Sequence, residues 1–80
     1  MKLSKKQKEV IQTMRSKKYY LRWDMLRLRW YFQKDSNIIF PALNAKTVKG
    51  VLHKGLLDVL CAGGMRITYY LTELGKTIEL

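Results

Sequence analysis

This 80-residue chain has one cysteine, one proline and one histidine. The lone cysteine, Cys61, excludes an intramolecular disulfide framework. With no Cys-x-x-Cys pair, and His53 as the single histidine, no ordinary zinc site is expected. Set in an apolar stretch, Cys61 reads as an inert core residue. One proline with five glycines, and a hydrophobic fraction of 48%, argue against disorder. Long apolar runs are missing too. Nowhere do eighteen consecutive apolar residues occur, so no membrane-spanning helix is expected. The start "MKLSKKQKEV" is basic but leads into no apolar run of signal-peptide length. The expectation is a single domain, residues 1–80, in an intracellular, cytoplasmic protein with no membrane partner.

Negative charge is scarce as well. The six acids (Glu9, Asp24, Asp35, Asp58, Glu73 and Glu79) are scattered, several beside turns or helix ends. His53 and Cys61 form no arrangement with a nucleophile or base, and "AGGM" lacks the spacing and the lysine of a phosphate loop. No enzyme activity, cofactor or metal is expected. Against those acids stand sixteen Lys and Arg, a net +10 and a pI near 10.0. Residues 1–40 hold eleven of the sixteen. A fold that repels itself this strongly points to a polyanionic partner, with nucleic acid first.

Ser4 followed by Gln7 fits a capping box. Leu3, Val10, Ile11 and Met14 then fall at helical spacing opposite Lys5, Lys6 and Lys8, which predicts a first helix of about three turns. "YYLRWDMLRLRWYFQ", Tyr19 to Gln33, holds six of the nine aromatics, interleaved with three arginines. Leu26, Leu28, Trp30 and Phe32 alternate with Arg27, Arg29, Tyr31 and Gln33. Before them, Tyr19, Leu21 and Trp23 oppose Tyr20, Arg22 and Asp24. Two strands turning near Asp24-Met25 follow from that period. A helix is the rival, since Leu21, Met25, Leu28 and Phe32 also share helical spacing. The hairpin places the large apolar groups better, with Leu21, Trp23, Leu28, Trp30 and Phe32 as core candidates. Its other side, Tyr20, Arg22, Arg27, Arg29 and Tyr31, would form an accessory anion surface.

"KDSN" (34–37) reads as a polar turn and "IIFPAL" (38–43) as an apolar lead-in, with Pro41 blocking sheet continuation. Asn44 caps a second helix, and Gly55 ends it with Leu56 placed to pack back onto Val51. Val48, Val51 and Leu52 make the buried face; Lys46, Lys49, Gly50 and His53 make the opposite one. "LLDVLCAGGMRITYYLT" then reads as strand, Gly63-Gly64 turn, strand. Thr72 caps a last short helix with Leu74 and Ile78 facing in.

"TVKGVLHKGLLDV" (47–59) followed by "YYLTELGKTI" (69–78) resembles the winged helix-turn-helix DNA-binding domains of prokaryotic regulators. The likeness covers about half the chain, and Leu3 to Met14 suits the first helix of that family. It implies an α+β winged-helix domain: helix, β-hairpin or short helix, recognition helix, two-stranded wing, C-terminal helix. The recognition helix would span Asn44 to Lys54 and the wing Leu57 to Leu71. The implied nucleic-acid-binding positions are Lys46, Thr47, Lys49, Gly50, His53 and Lys54 on the helix, and Arg66 near the wing tip. Residues 17–43 depart from the pattern, because the family carries a small strand and a second helix there.

The resemblance implies a small transcriptional or mobile-element regulator, monomeric or weakly homodimeric, that binds double-stranded DNA and is nucleoid-associated when bound. The alternative is a winged-helix module whose basic aromatic hairpin, 19–33, docks a protein partner or RNA. Gly50 carries two readings, close approach of the helix backbone to DNA or to a neighbouring element.

Overall fold

Ser4 Oγ accepts from the Gln7 N–H at 3.2 Å, and Gln7 Oε1 accepts from the Ser4 N–H at 3.0 Å. The capping box thus forms in both directions. In the computed structural model, which describes residues 2–80, the helix it starts (α1) runs Lys5–Lys17 and buries Val10, Ile11 and Met14.

The arginine–aromatic stretch forms a hairpin. β1 (Tyr20–Asp24) pairs antiparallel with β2 (Arg29–Lys34), with Leu21 opposite Phe32 and Trp23 opposite Trp30. The turn is longer than the sequence suggested, taking in Met25 to Leu28. The alternation read from Leu26 therefore holds only from Arg29 onward. Leu28, a core candidate, is exposed, as is Leu26; Leu21 and Phe32 are buried. Trp23 and Trp30 are half-buried, their ring centroids 4.7 Å apart. After the Asp35-Ser36 turn comes a strand where a lead-in was expected. β3 (Asn37–Ile39) pairs with β2 and stops short of Pro41, which has no N–H for a ladder.

Asn44 Oδ1 accepts from the Thr47 N–H at 2.8 Å and starts α2 (Ala45–His53), which buries Val48 and Val51. Gly55, at φ +74°, closes it. Its N–H donates to Leu52 O at 3.0 Å and the Leu56 N–H donates to Val51 O at 3.3 Å, the paired bonds of a Schellman motif. Among the described residues no other helix lies between α1 and α2.

β4 (Leu57–Gly63) and β5 (Arg66–Leu71) make the glycine-tipped hairpin. A register irregularity between Val59 and Cys61 sets Cys61 opposite Thr68, away from the face of Val59, on an edge strand. Cys61 is exposed, not in the core, as is every residue of β4 past Leu57. Thr72 caps α3 (Glu73–Thr77). Ile78 packs toward the core, but Leu74 is exposed and Gly75 takes the buried position.

The two hairpins form one antiparallel sheet of order β3-β2-β1-β5-β4, because Leu21 to Asp24 of β1 pair with Arg66 to Tyr69 of β5. Three helices and five strands make a small α+β fold. Leu21, Phe32, Tyr69, Leu71 and Leu57 join Val10, Ile11, Met14, Val48 and Val51 in one core. The helices therefore cover one face of the sheet. Side chains alone form the other, including Arg22, Tyr31 and Thr68. Among the described residues no helix is long and apolar enough to cross a membrane.

Candidate nucleic-acid interface

The face read on α2 divides in two. Lys46, Lys49 and His53 stand exposed along it at i, i+3 and i+7. Among the described residues, the ion pairs are Lys6–Glu9, Arg27–Asp24 and Lys76–Glu73, so neither Lys46 nor Lys49 is neutralised by a carboxylate. Their charge is available to a ligand.

Gly50 and Lys54 are engaged by the neighbouring helix, while the Thr47 side chain has no such partner among the described residues. Thr47 is half-buried in the capped first turn. A Cβ on Gly50 would collide with Gln7 Nε2, so the bare helix face admits α1. Of the two readings of Gly50, close approach to a neighbouring element is the one for which the structure supplies a partner, the Gln7 side chain. Lys54 Nζ donates to Lys2 O at 2.7 Å and to Gln7 Oε1 at 2.9 Å, and so is turned inward onto the start of α1. These two positions, expected on the DNA face, are occupied by the contact between α1 and α2.

The hairpin surface divides similarly. Tyr20 is exposed, 46% of its surface accessible. Arg22 is half-buried and committed: Nε donates to Thr68 Oγ1 at 3.1 Å and Nη1 to Gln33 Oε1 at 2.7 Å. Tyr31 is buried, contrary to its expected place on an anion surface. Phe40, which follows β3, sets its ring 5.9 Å from that of Tyr31, and Arg29 lays its guanidinium 4.2 Å from the Phe40 ring centroid. Sequence alternation placed Tyr31 on the correct face of the sheet; the cover comes from Phe40, which follows a strand the sequence did not show.

The end of the sheet brings together residues far apart in the chain. Trp23, Leu28, Arg29, Trp30, Phe40 and Ala45 share a cleft of about 280 Å³ with the 41–43 segment. The first turn of α2, through Ala45, thus faces the same cleft as Arg29. Across the three central strands Arg29, Asp24 and Arg66 stand in register. Asp24 is buried, and its Oδ1 accepts from the Leu26 N–H at 3.0 Å and the Arg27 N–H at 3.2 Å. The Arg27 N–H above all, helped by the Leu26 N–H and the Arg27 and Arg66 charges, outweighs desolvation and holds this carboxyl below the usual carboxylate range. Burial alone pushes the Tyr69 hydroxyl above its ordinary value.

Leu26, Leu28 and Met65, exposed at this end, were not singled out from the sequence as site residues. The available signal was a turn built of Met25-Leu26-Arg27-Leu28 without glycine or asparagine. Among the described residues no cluster of three or more His, Cys, Asp or Glu side chains could hold a metal ion. Comparisons with protein-family models, curated proteins and solved structures gave no match.

Proposed function

We propose that this chain binds double-stranded DNA without catalysing a reaction, with α2 in the major groove and the β1–β2 end of the sheet on the adjoining backbone. The observation that supports this best is the exposed row Lys46, Lys49 and His53, without an ion-pair partner among the described residues, on a helix whose first turn shares a cleft with Arg29. A helix of this kind fits the major groove, and lysines there neutralise phosphates. The net charge of +10 supplies the long-range attraction. The order α1, β1, α2, β4, β5, α3 follows the winged-helix resemblance, with β2 and β3 where that family carries a second helix. The regulatory role that the resemblance implies, transcriptional or in a mobile element, belongs to this proposal.

Fluorescence anisotropy with a labelled duplex at several salt concentrations tests it. Lys46→Ala and Lys49→Ala should each weaken binding and flatten the salt dependence. Unchanged affinity in both would sink the reading.

One observation favours a second reading. The helix-free sheet face exposes Phe40 with Arg29 over its ring, and Tyr20 at the far end of β1, aromatic groups on which single-stranded bases could stack. On that reading Tyr20→Ala and Phe40→Ala would abolish binding of RNA or a protein partner and leave duplex affinity unchanged.

A further inference from the structure

The β1–β2 and β4–β5 turns form one tip. The Met25 N–H donates to Met65 O at 2.9 Å, and Asp24 ties Leu26 and Arg27 back onto the strand end. From this braced tip Leu26 and Leu28 project with 75% and 72% of their surface exposed, and Met65 with 55%. Leu28 and Met65 hold φ of +53° and +63°, the left-handed region in which a side chain costs free energy and glycine does not. Exposed leucine and methionine contribute little to folding. The fold thus carries two unfavourable features at one place, large apolar groups in water and a backbone unsuited to them. Strain of this kind, held rigidly, marks a position where the side chain serves something other than the fold.

The surroundings indicate what that is. Arg27, Arg29 and Arg66 are exposed around the apolar tip; the acid among them, Asp24, is buried, engaged by backbone N–H groups and ion-paired at 3.7 Å with Arg27, whose side chain stays largely exposed. An apolar point ringed by guanidinium groups complements a ligand with a stacked apolar interior and anionic edges, which describes a base step between its phosphates. Lipid is the less suited occupant, because interfacial binding scales with buried apolar area and three side chains offer little.

We propose that Leu26, Leu28 and Met65 form a wedge that enters a base step of duplex DNA from the minor groove and kinks it, with Arg27, Arg29 and Arg66 on the flanking phosphates. The wedge rests on the duplex-binding reading and adds to it that the DNA is deformed.

The test uses the full chain and a duplex of about 20–30 bp with one central TA step, the kind most easily unstacked. Donor and acceptor dyes on its ends report bending. The wild type should shorten the end-to-end distance by the amount of a roughly 20–90° kink. The double variant Leu26→Ala/Leu28→Gly should bind with the wild-type salt dependence and leave the duplex straight. It should also melt higher than the wild type, since Gly relieves the positive φ at residue 28. Binding without shortening by the wild type, or equal bending by the variant, would overturn the wedge while duplex binding stood. Failure of the wild type to bind the duplex at all would overturn both proposals. If the wild type instead sediments with phosphatidylglycerol vesicles, leaves the duplex straight, and loses vesicle binding in the double variant, the tip is a lipid contact and the wedge is wrong.

Discussion

Lys54 Nζ lies 2.9 Å from Gln7 Oε1, so a lysine at the end of α2 is spent on the capping residue of α1. Lys54 and Lys49 are thereby set apart, though both sit on a basic helix. Lys54→Met should lower stability by about 1 kcal/mol in urea unfolding and leave the salt dependence of DNA binding unchanged. Lys49→Ala should do the reverse, reducing the slope of log K against log salt by about 0.9 for each phosphate that is no longer neutralised. Identical behaviour of the two variants would contradict the division of the α2 face.

Gly50 is set by the same contact. Alanine favours a helix interior by about 1 kcal/mol over glycine, but here its methyl would displace Gln7, which closes the capping box and accepts from Lys54. Gly50→Ala alone should therefore be close to neutral. In a Gln7→Ala background, where the obstruction is gone, it should stabilise by about 1 kcal/mol. A double-mutant cycle by urea unfolding reads the coupling, and strict additivity would show that the two residues do not interfere.

Gly75 faces a harder obstacle. A Cβ there would strike the carbonyl oxygen of Leu56, itself held by the Thr72 N–H at 3.1 Å, and would lie 3.0 Å from Leu71 Cδ2. Backbone cannot swing aside as Gln7 can. Gly75→Ala should destabilise by about 1–3 kcal/mol, with α3 loosened from the core. A thermal midpoint equal to the wild type's would disprove the close approach.

The tip should respond to acid. Asp24 has a folded-state pKa below its unfolded value, so its contribution to stability is present above the unfolded pKa of about 3.9 and is lost as pH falls through the folded value. Proton titration followed by NMR should show the Leu26 and Arg27 amides moving together, with a midpoint below the ordinary carboxylate value. A midpoint at or above that value would mean the carboxylate is not held by these N–H groups.

The parts of this fold that were legible in the sequence are those whose partners lie close along the chain. Ser4 with Gln7, Asn44 with Thr47, and Gly55-Leu56 with Val51 and Leu52 each close within five residues, so residue type and spacing specify the bond. The period-two pattern around Leu21 and Phe32 likewise identifies a hairpin. Less was legible where distant segments decide. Nothing local shows that β1 pairs with β5, joining the hairpins into one sheet and their turns into one tip. The exposure of Cys61 follows from the place of β4 at the sheet edge, where every residue past Leu57 is exposed whichever face it takes. Leu28 was read by extending alternation one step into a turn. Gly50 looked free because its partner, Gln7, lies in another helix; Lys46, Lys49 and His53 stayed exposed because no element packs over them.

The most direct test of duplex binding through α2 is a titration of isotope-labelled protein with a random-sequence duplex, following backbone amide shifts at two salt concentrations. Binding through α2 and the sheet end predicts salt-sensitive shifts at Lys46, Lys49 and His53, continuing through Arg27 to Arg29 and Arg66, with Tyr20 unmoved. Shifts centred on Tyr20 and Phe40 with α2 silent, or no shifts at all, would contradict it.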